Sequence, residues 1–173
     1  MMEFQNKEFE SKIFKNDNFT DKSFKSSSFI DCVFEECNLS NVYLENTQIQ
    51  NCNFKKCKIL GLNFSKCNKF LFSFSFENCS ISMSDFSNLN LKNTIFNNCE
   101  IIECHFFGTN LTKVKFNDSD LKRSRFENTN LNSTNFKTAK NYSIDPNLNI
   151  LKKTMFSMPE VINLLDNLDI ILD

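Results

Sequence analysis

An apolar residue returns at every fifth position along most of this chain. In residues 119–136, SDLKRSRFENTNLNSTNF, the returning residues are Leu121, Phe126, Leu131 and Phe136. Two places before each stands a small hydroxyl residue: Ser119, Ser124, Thr129 and Thr134. A period of five fits neither an amphipathic helix, with apolar residues at i, i+3, i+4 and i+7, nor a half-buried strand, which alternates. The series starts at Phe4, holds its frame to Phe64, slips by two residues, resumes at Leu71 and ends at Phe136, giving 27 units of the form small-x-apolar-x-x. Such self-similarity is the signature of a repeat architecture and outranks every local signal.

The units CNLSN, CNFKK, SDLKR, TNLNS and TNFKT resemble those of the pentapeptide-repeat family, strongly over residues 25–140 and partly over 1–24. The resemblance implies an all-β solenoid: a right-handed, quadrilateral parallel β-helix with four pentapeptides per coil, the central and the small residue both pointing inward. Sorting the central residues by every fourth unit tests that geometry. One column reads Phe4, Phe24, Leu44, Phe64, Phe86, Phe106, Phe126, and the opposite one is Phe throughout, from Phe14 to Phe136. Beyond the first coil the other two columns carry almost only Leu and Ile. Coils of 20 residues stacked ~4.8 Å apart would place like above like in this way. About seven coils are expected.

Composition bounds the rest. The 173 residues fit one domain or one short repeat array, and a chain with 21 Phe but only 2 Gly and 2 Pro must turn by a regular device independent of both. Net charge is −1, which gives neither a basic footprint for nucleic acid nor a strongly acidic surface. The start, MMEFQNKEFESKIF, lacks the apolar core of a signal peptide, and no run approaches ~18 apolar residues. A cytoplasmic protein with no membrane contact and no direct nucleic-acid contact is therefore expected.

Three stretches bend the pattern. In residues 1–24 the small positions hold Lys7, Lys12, Asp17 and Lys22. A buried lone Lys is costly, so these side chains should leave through the open end or distort the coil, making 1–24 the least regular part. The two-residue insertion near 65–71 should put Leu71 inward, with Phe70 and Phe72 outward on either side. After residue 141 the repeat fades into a C-terminal cap, 142–173. There Ser157 and Glu160 resemble a capping box, and Val161, Leu164, Leu165 and Leu168 form an apolar stripe, so an α-helix is expected over about 158–168.

Little of this suggests chemistry. Seven of the eight cysteines occupy the small inward position and should be packing groups; only Cys67, beside the insertion, does not fit cleanly. His105 faces outward without a partner fixed by any motif, and outward Asn columns are read as a solvated surface rather than hydrogen-bonded ladders. Lys15, Glu35, Lys55 and Glu77 alternate in sign down one column. No catalytic, cofactor or metal site is expected, so the chain is read as a non-enzymatic interaction or structural scaffold with an unknown protein partner. Candidate interface residues are the outward apolar Leu60, Phe70, Phe72, Ile102 and Phe107, together with Leu165, Leu168 and Ile171 of the cap, through which a homodimer is expected. Resemblance to the Qnr and MfpA groups of the family implies an alternative: mimicry of DNA, binding to DNA gyrase and protection from quinolones. The weak net charge argues against it.

Overall fold

Successive turns of one chain lie in register, residue above residue. The computed structural model describes residues 4–166, 168 and 170. Strands of three or four residues alternate with tight corners, and every named strand pair is parallel and 20 or 22 residues apart in sequence. One side of the resulting tube is a six-stranded sheet of Ile13–Lys15, Val33–Glu35, Cys52–Lys55, Phe74–Glu77, Ile95–Asn97 and Lys115–Asn117. The side before it pairs Glu8–Glu10, Ser28–Ile30 and Gln48–Gln50, and the side after it pairs Lys58–Leu60, Ser80–Ser82 and Glu100–Ile102. The fourth side is joined by single bridges, among them Asp85 to His105 and His105 to Arg125. Six turns separate Phe4 from Phe126 at the same corner. This is the four-sided parallel β-solenoid that the columns imply.

Two phenylalanine stacks fill its interior. In the six-stranded side, rings from Phe14 to Phe136 repeat at 4.9 to 5.2 Å with interplanar angles of 20° or less. Opposite them, Phe64, Phe86, Phe106 and Phe126 stack at 4.7 to 5.1 Å. The two stacks meet edge to face, as Phe86 and Phe96 do at 90°, which suits the ring quadrupole. The small position supplies more than room. Thr129 Oγ1 donates to the Phe106 carbonyl at 2.7 Å, Thr134 to Leu111 at 2.7 Å and Ser124 to Ile101 at 2.7 Å, each 23 residues back. Each of these three hydroxyls therefore ties one coil to the main chain of the coil before it and satisfies its own buried donor.

The turning device is a left-handed residue two places after the central one, present at every unit but those of Phe64 and Phe136 in the regular coils. Among the described residues, twenty-five other than glycine have positive φ of 49–66°, 14 of them Asn or Asp, the side chains that tolerate this region best. The two glycines occupy the same kind of place. At Gly61 and Gly108 a Cβ would lie 2.9 and 2.6 Å from the side-chain oxygens of Asn41 and Asn88 in the coil before. Asn side chains also bond along the stack: Asn98 donates to Asn78 at 2.7 Å and Asn110 to Asn90 at 3.0 Å. These columns form ladder rungs, contrary to the purely solvated surface expected.

The three irregular stretches differ from expectation. The first coil is regular: Phe9 pairs with Phe29 and Phe14 with Phe34 in full register. Lys7 and Lys12 are exposed and Lys22 is half-buried, and among the described residues no coil covers them; Lys12 Nζ sits 5.2 and 4.8 Å from the Phe9 and Phe14 ring centres. At the insertion, Leu71 is 56% exposed and left-handed, φ 53°, so it is not the inward residue. The first frame runs on through Leu71, which puts Lys69 at the central position. An unpaired ammonium is not buried; the side bulges, and Lys69 Nζ donates to the Asn88 carbonyl at 3.2 Å. The extra residues are 72 and 73. Phe74 then fills the vacated core from a small position, 4.8 Å from Phe76 and 5.5 Å from Phe64.

The coil also continues past residue 141. Ile150 and Met155 bridge to Asn130 and Asn135, and Phe156 stacks on Phe136 at 5.5 Å and 7°. Counting by fives would put Asn141 and Pro146 inside; Tyr142 and Ile144 fill that space instead. The expected α-helix is a 3-10 helix, Glu160–Leu165, with no side-chain cap. Ser157 donates to the Lys137 carbonyl rather than capping, and six residues cannot offset the cost of α-helix nucleation. Among the described residues no helix is long and apolar enough to cross a membrane.

Candidate interaction surfaces

The tube is packed solid. One interior space of about 10 Å³, lined by Phe24, Leu44, Phe64 and neighbouring apolar side chains, is too small and too apolar for a polar ligand. Another molecule can therefore meet only the outward residues, and their placement is set by the five-residue turn.

The candidate interface residues fall in four separate places. Leu60 and Ile102, both half-buried, lie on one side with Ser82 paired between them. Phe70 is 70% exposed on the bulge, whereas Phe72 turns partly inward and packs on Phe74 at 4.9 Å, so it is not the fully outward residue expected. Phe107 is exposed on the fourth side. In the C-terminal segment Leu165 is half-buried and Leu168 exposed, while Leu164 packs against the core; Ile171 lies outside the described residues. The structure joins none of these groups to another.

One cluster was not singled out by the sequence reading. The chain's only two arginines, Arg123 and Arg125, and its only histidine, His105, stand on the fourth side and its corner. Three adjoining surface grooves of about 410, 370 and 170 Å³ all include Arg125, and Met83, Phe107 and Leu148 contribute apolar walls. Arg123 is held by Glu103 at 2.8 Å, while among the described residues Arg125 has no ion-pair partner. The scarcity of arginine in the sequence was the available signal.

On other columns several charges pair between coils. Lys15–Glu35, Lys25–Glu45, Lys56–Glu36 and Lys55–Glu77 pair at 3.1, 3.0, 3.2 and 4.0 Å. All eight cysteines, Cys67 included, are buried and unbridged. Burial pushes the thiols of Cys52 and Cys104 up to about 12 and raises Cys67 as well. In the column Cys37, Cys57, Cys79, Cys99, a hydrogen bond with Cys57 together with burial raises Cys37 and Cys79. The same hydrogen bonds lower their other partners, Cys57 and Cys99. The raised thiols stay protonated and are poor nucleophiles and poor metal ligands.

Comparison with known proteins agrees with this geometry. A family described as "Pentapeptide repeat region" matches residues 27–106, and one described as "Pentapeptide repeats (8 copies)" matches 104–140. No curated protein matches. Among solved structures, a trypsin-treated variant of QnrB1, described as a plasmid-mediated fluoroquinolone resistance protein, is similar with a TM-score of 0.69. It is 15% identical over 99% of this chain and 93% of that one. Full-length QnrB1 is similar at a TM-score of 0.55, 17% identical over 97% of this chain and 92% of that one. At such identity the likeness is one of fold.

Proposed function

Since the chain belongs to the pentapeptide-repeat family, we propose that it is a non-enzymatic scaffold that binds a protein partner through the outward residues of its coils. The observation that carries this reading is the solid interior: the chain invests its apolar residues in the two ring stacks and presents only surface columns to other molecules. The grooves around Arg125 combine a free guanidinium with exposed Phe107 and Met83, the mixture of one strong donor group and apolar area typical of binding hot spots. As bait in a native lysate, the protein is expected to retain a partner that the double change Phe107→Ser and Arg125→Ala releases. Turnover of any substrate by the purified protein would overturn the non-enzymatic part, and equal capture by the variant would overturn the assignment to this surface.

A second reading brings the QnrB1 likeness to this chain as binding to DNA gyrase and protection from quinolones. It finds less support in the charge pattern, because Glu35, Glu36, Glu45 and Glu77 stand next to lysines of adjacent coils and pair with them instead of forming a continuous acidic stripe. Little inhibition of supercoiling and no protection from a quinolone are expected. Potent inhibition at low concentration would reverse the order of the two readings.

A further inference from the structure

On the side that carries the bulge, charge is segregated by height. Its first three coils present Glu8, Glu10 and Asp31 among Ser11, Ser28, Gln48, Gln50 and Asn51, with no cation in those outward positions; Lys7 stands one place earlier, in a small position of the end coil. Its last coils present Lys92, Lys113, Lys152 and Lys153 among asparagines, with no acid. None of these seven charged groups takes part in an ion pair among the described residues, unlike the paired columns of the neighbouring six-stranded side. Between the two zones, at mid-height, project Phe70, 70% exposed, and Leu71, 56% exposed, while the exposed Lys69 beside them turns its ammonium to the Asn88 carbonyl at 3.2 Å.

An acidic end, an apolar centre and a basic end form a self-complementary order. A two-fold axis through the centre reverses one copy against the other. Glu8 and Glu10 then face the partner's end that bears Lys152 and Lys153, Asp31 faces Asn132 and Ser133 one coil beyond Lys113, and the two Phe70–Leu71 bulges lie on either side of the axis. We propose that this side binds a second copy of the chain, antiparallel and side by side, in an isologous dimer. The proposal goes beyond the scaffold reading and does not depend on it. About seven coil spacings by one side's width bury roughly 500 Å² per copy, at the low end for specific interfaces, so the dimer is weak and concentration-dependent. Its charged zones lie at the rim and are screened by salt.

Reciprocal charge reversal tests this. Sedimentation velocity of the unmodified protein should show a monomer–dimer equilibrium that shifts toward monomer as salt rises. Glu8→Lys with Glu10→Lys should weaken self-association at least about tenfold, and so should Lys152→Glu with Lys153→Glu, since each makes both contacts repulsive. Mixed together, the two variants should form a heterodimer that neither forms alone, because both contacts become attractive again. Circular dichroism checks that each variant keeps its fold, and Phe70→Ser with Leu71→Ser gives an independent weakening without charge change. A protein that stays monomeric at high concentration overturns the proposal. So does a dimer indifferent to all these changes but lost on Leu168→Asp, which would mean pairing through the C-terminal segment.

Discussion

Thr129, Ser124 and Thr134 show what the small position requires: a side chain short enough for a crowded corner and able to donate to the carbonyl of the coil before. Cysteine meets both requirements with a weaker donor, and Cys52 and Cys57 approach the Phe29 and Phe34 carbonyls at 3.3 Å in the same way. Burial holds the Cys52 and Cys104 thiols at about 12, against 9.0 ordinarily. The folded Cys52 and Cys104 thiols keep their protons where the unfolded ones lose them. The unfolded chain thus binds fewer protons above about pH 9, and stability falls as pH rises from there towards about 12. Urea midpoints between pH 8 and 11 are expected to drop, and Cys52→Ser with Cys104→Ser should make the drop shallower. The sequence disclosed where these residues sit, because five-residue spacing alone places them. It did not disclose that they are donors, since a small residue that fills space and one that bonds look alike in a pattern.

Among the elements, the bulge separates spacing from packing most sharply. Spacing assigns the inward place to Leu71; the structure gives it to Phe74, because Lys69 takes the central position of a frame that has not yet slipped and cannot be buried. A repeat count locates an insertion only to within one unit, and which residue goes in is decided by the desolvation of one ammonium. Elsewhere the position of Phe74 holds Cys32, Cys52 and Thr94, so the pattern treats a small residue there as normal. Phe74→Ala is nevertheless expected to cost about 3–5 kcal/mol in urea unfolding, since the ring fills space that no neighbour can reach. Phe70→Ala, on the exposed shoulder of the same bulge, should stay within about 0.5 kcal/mol. Equal effects would mean that the bulge packs differently.

For the molecule as a whole, the four columns in the sequence were enough to read the solenoid, its coil length and the two ring stacks, because a parallel stack repeats its chemistry at a fixed interval. The end was harder to read. The stripe Val161, Leu164, Leu165, Leu168 has helical spacing, yet only Leu164 packs against the core. The last coil runs on to Phe156 and leaves a short 3-10 turn as its lid. Leu164→Asp should therefore lower stability by about 2 kcal/mol, or roughly 4–8 °C in Tm, whereas Leu168→Asp should change it by less than about 0.5 kcal/mol. Similar melting curves for the two variants would show that the lid has no preferred face.

The lysines of the first coil have a further consequence. Among the described residues nothing pairs with the outer edge of Glu8–Glu10 or Ile13–Lys15, so their main-chain groups form a free template for another chain. With small residues at positions 7 and 12, that edge would surround a flat disc of phenylalanine, and rods could add end to end as fibrils grow. Any rod that docked there would trap the Lys12 ammonium, held over Phe9 and Phe14, in an apolar seam without a counter-ion. The residues that spoil the repeat are thus the ones that stop it from propagating.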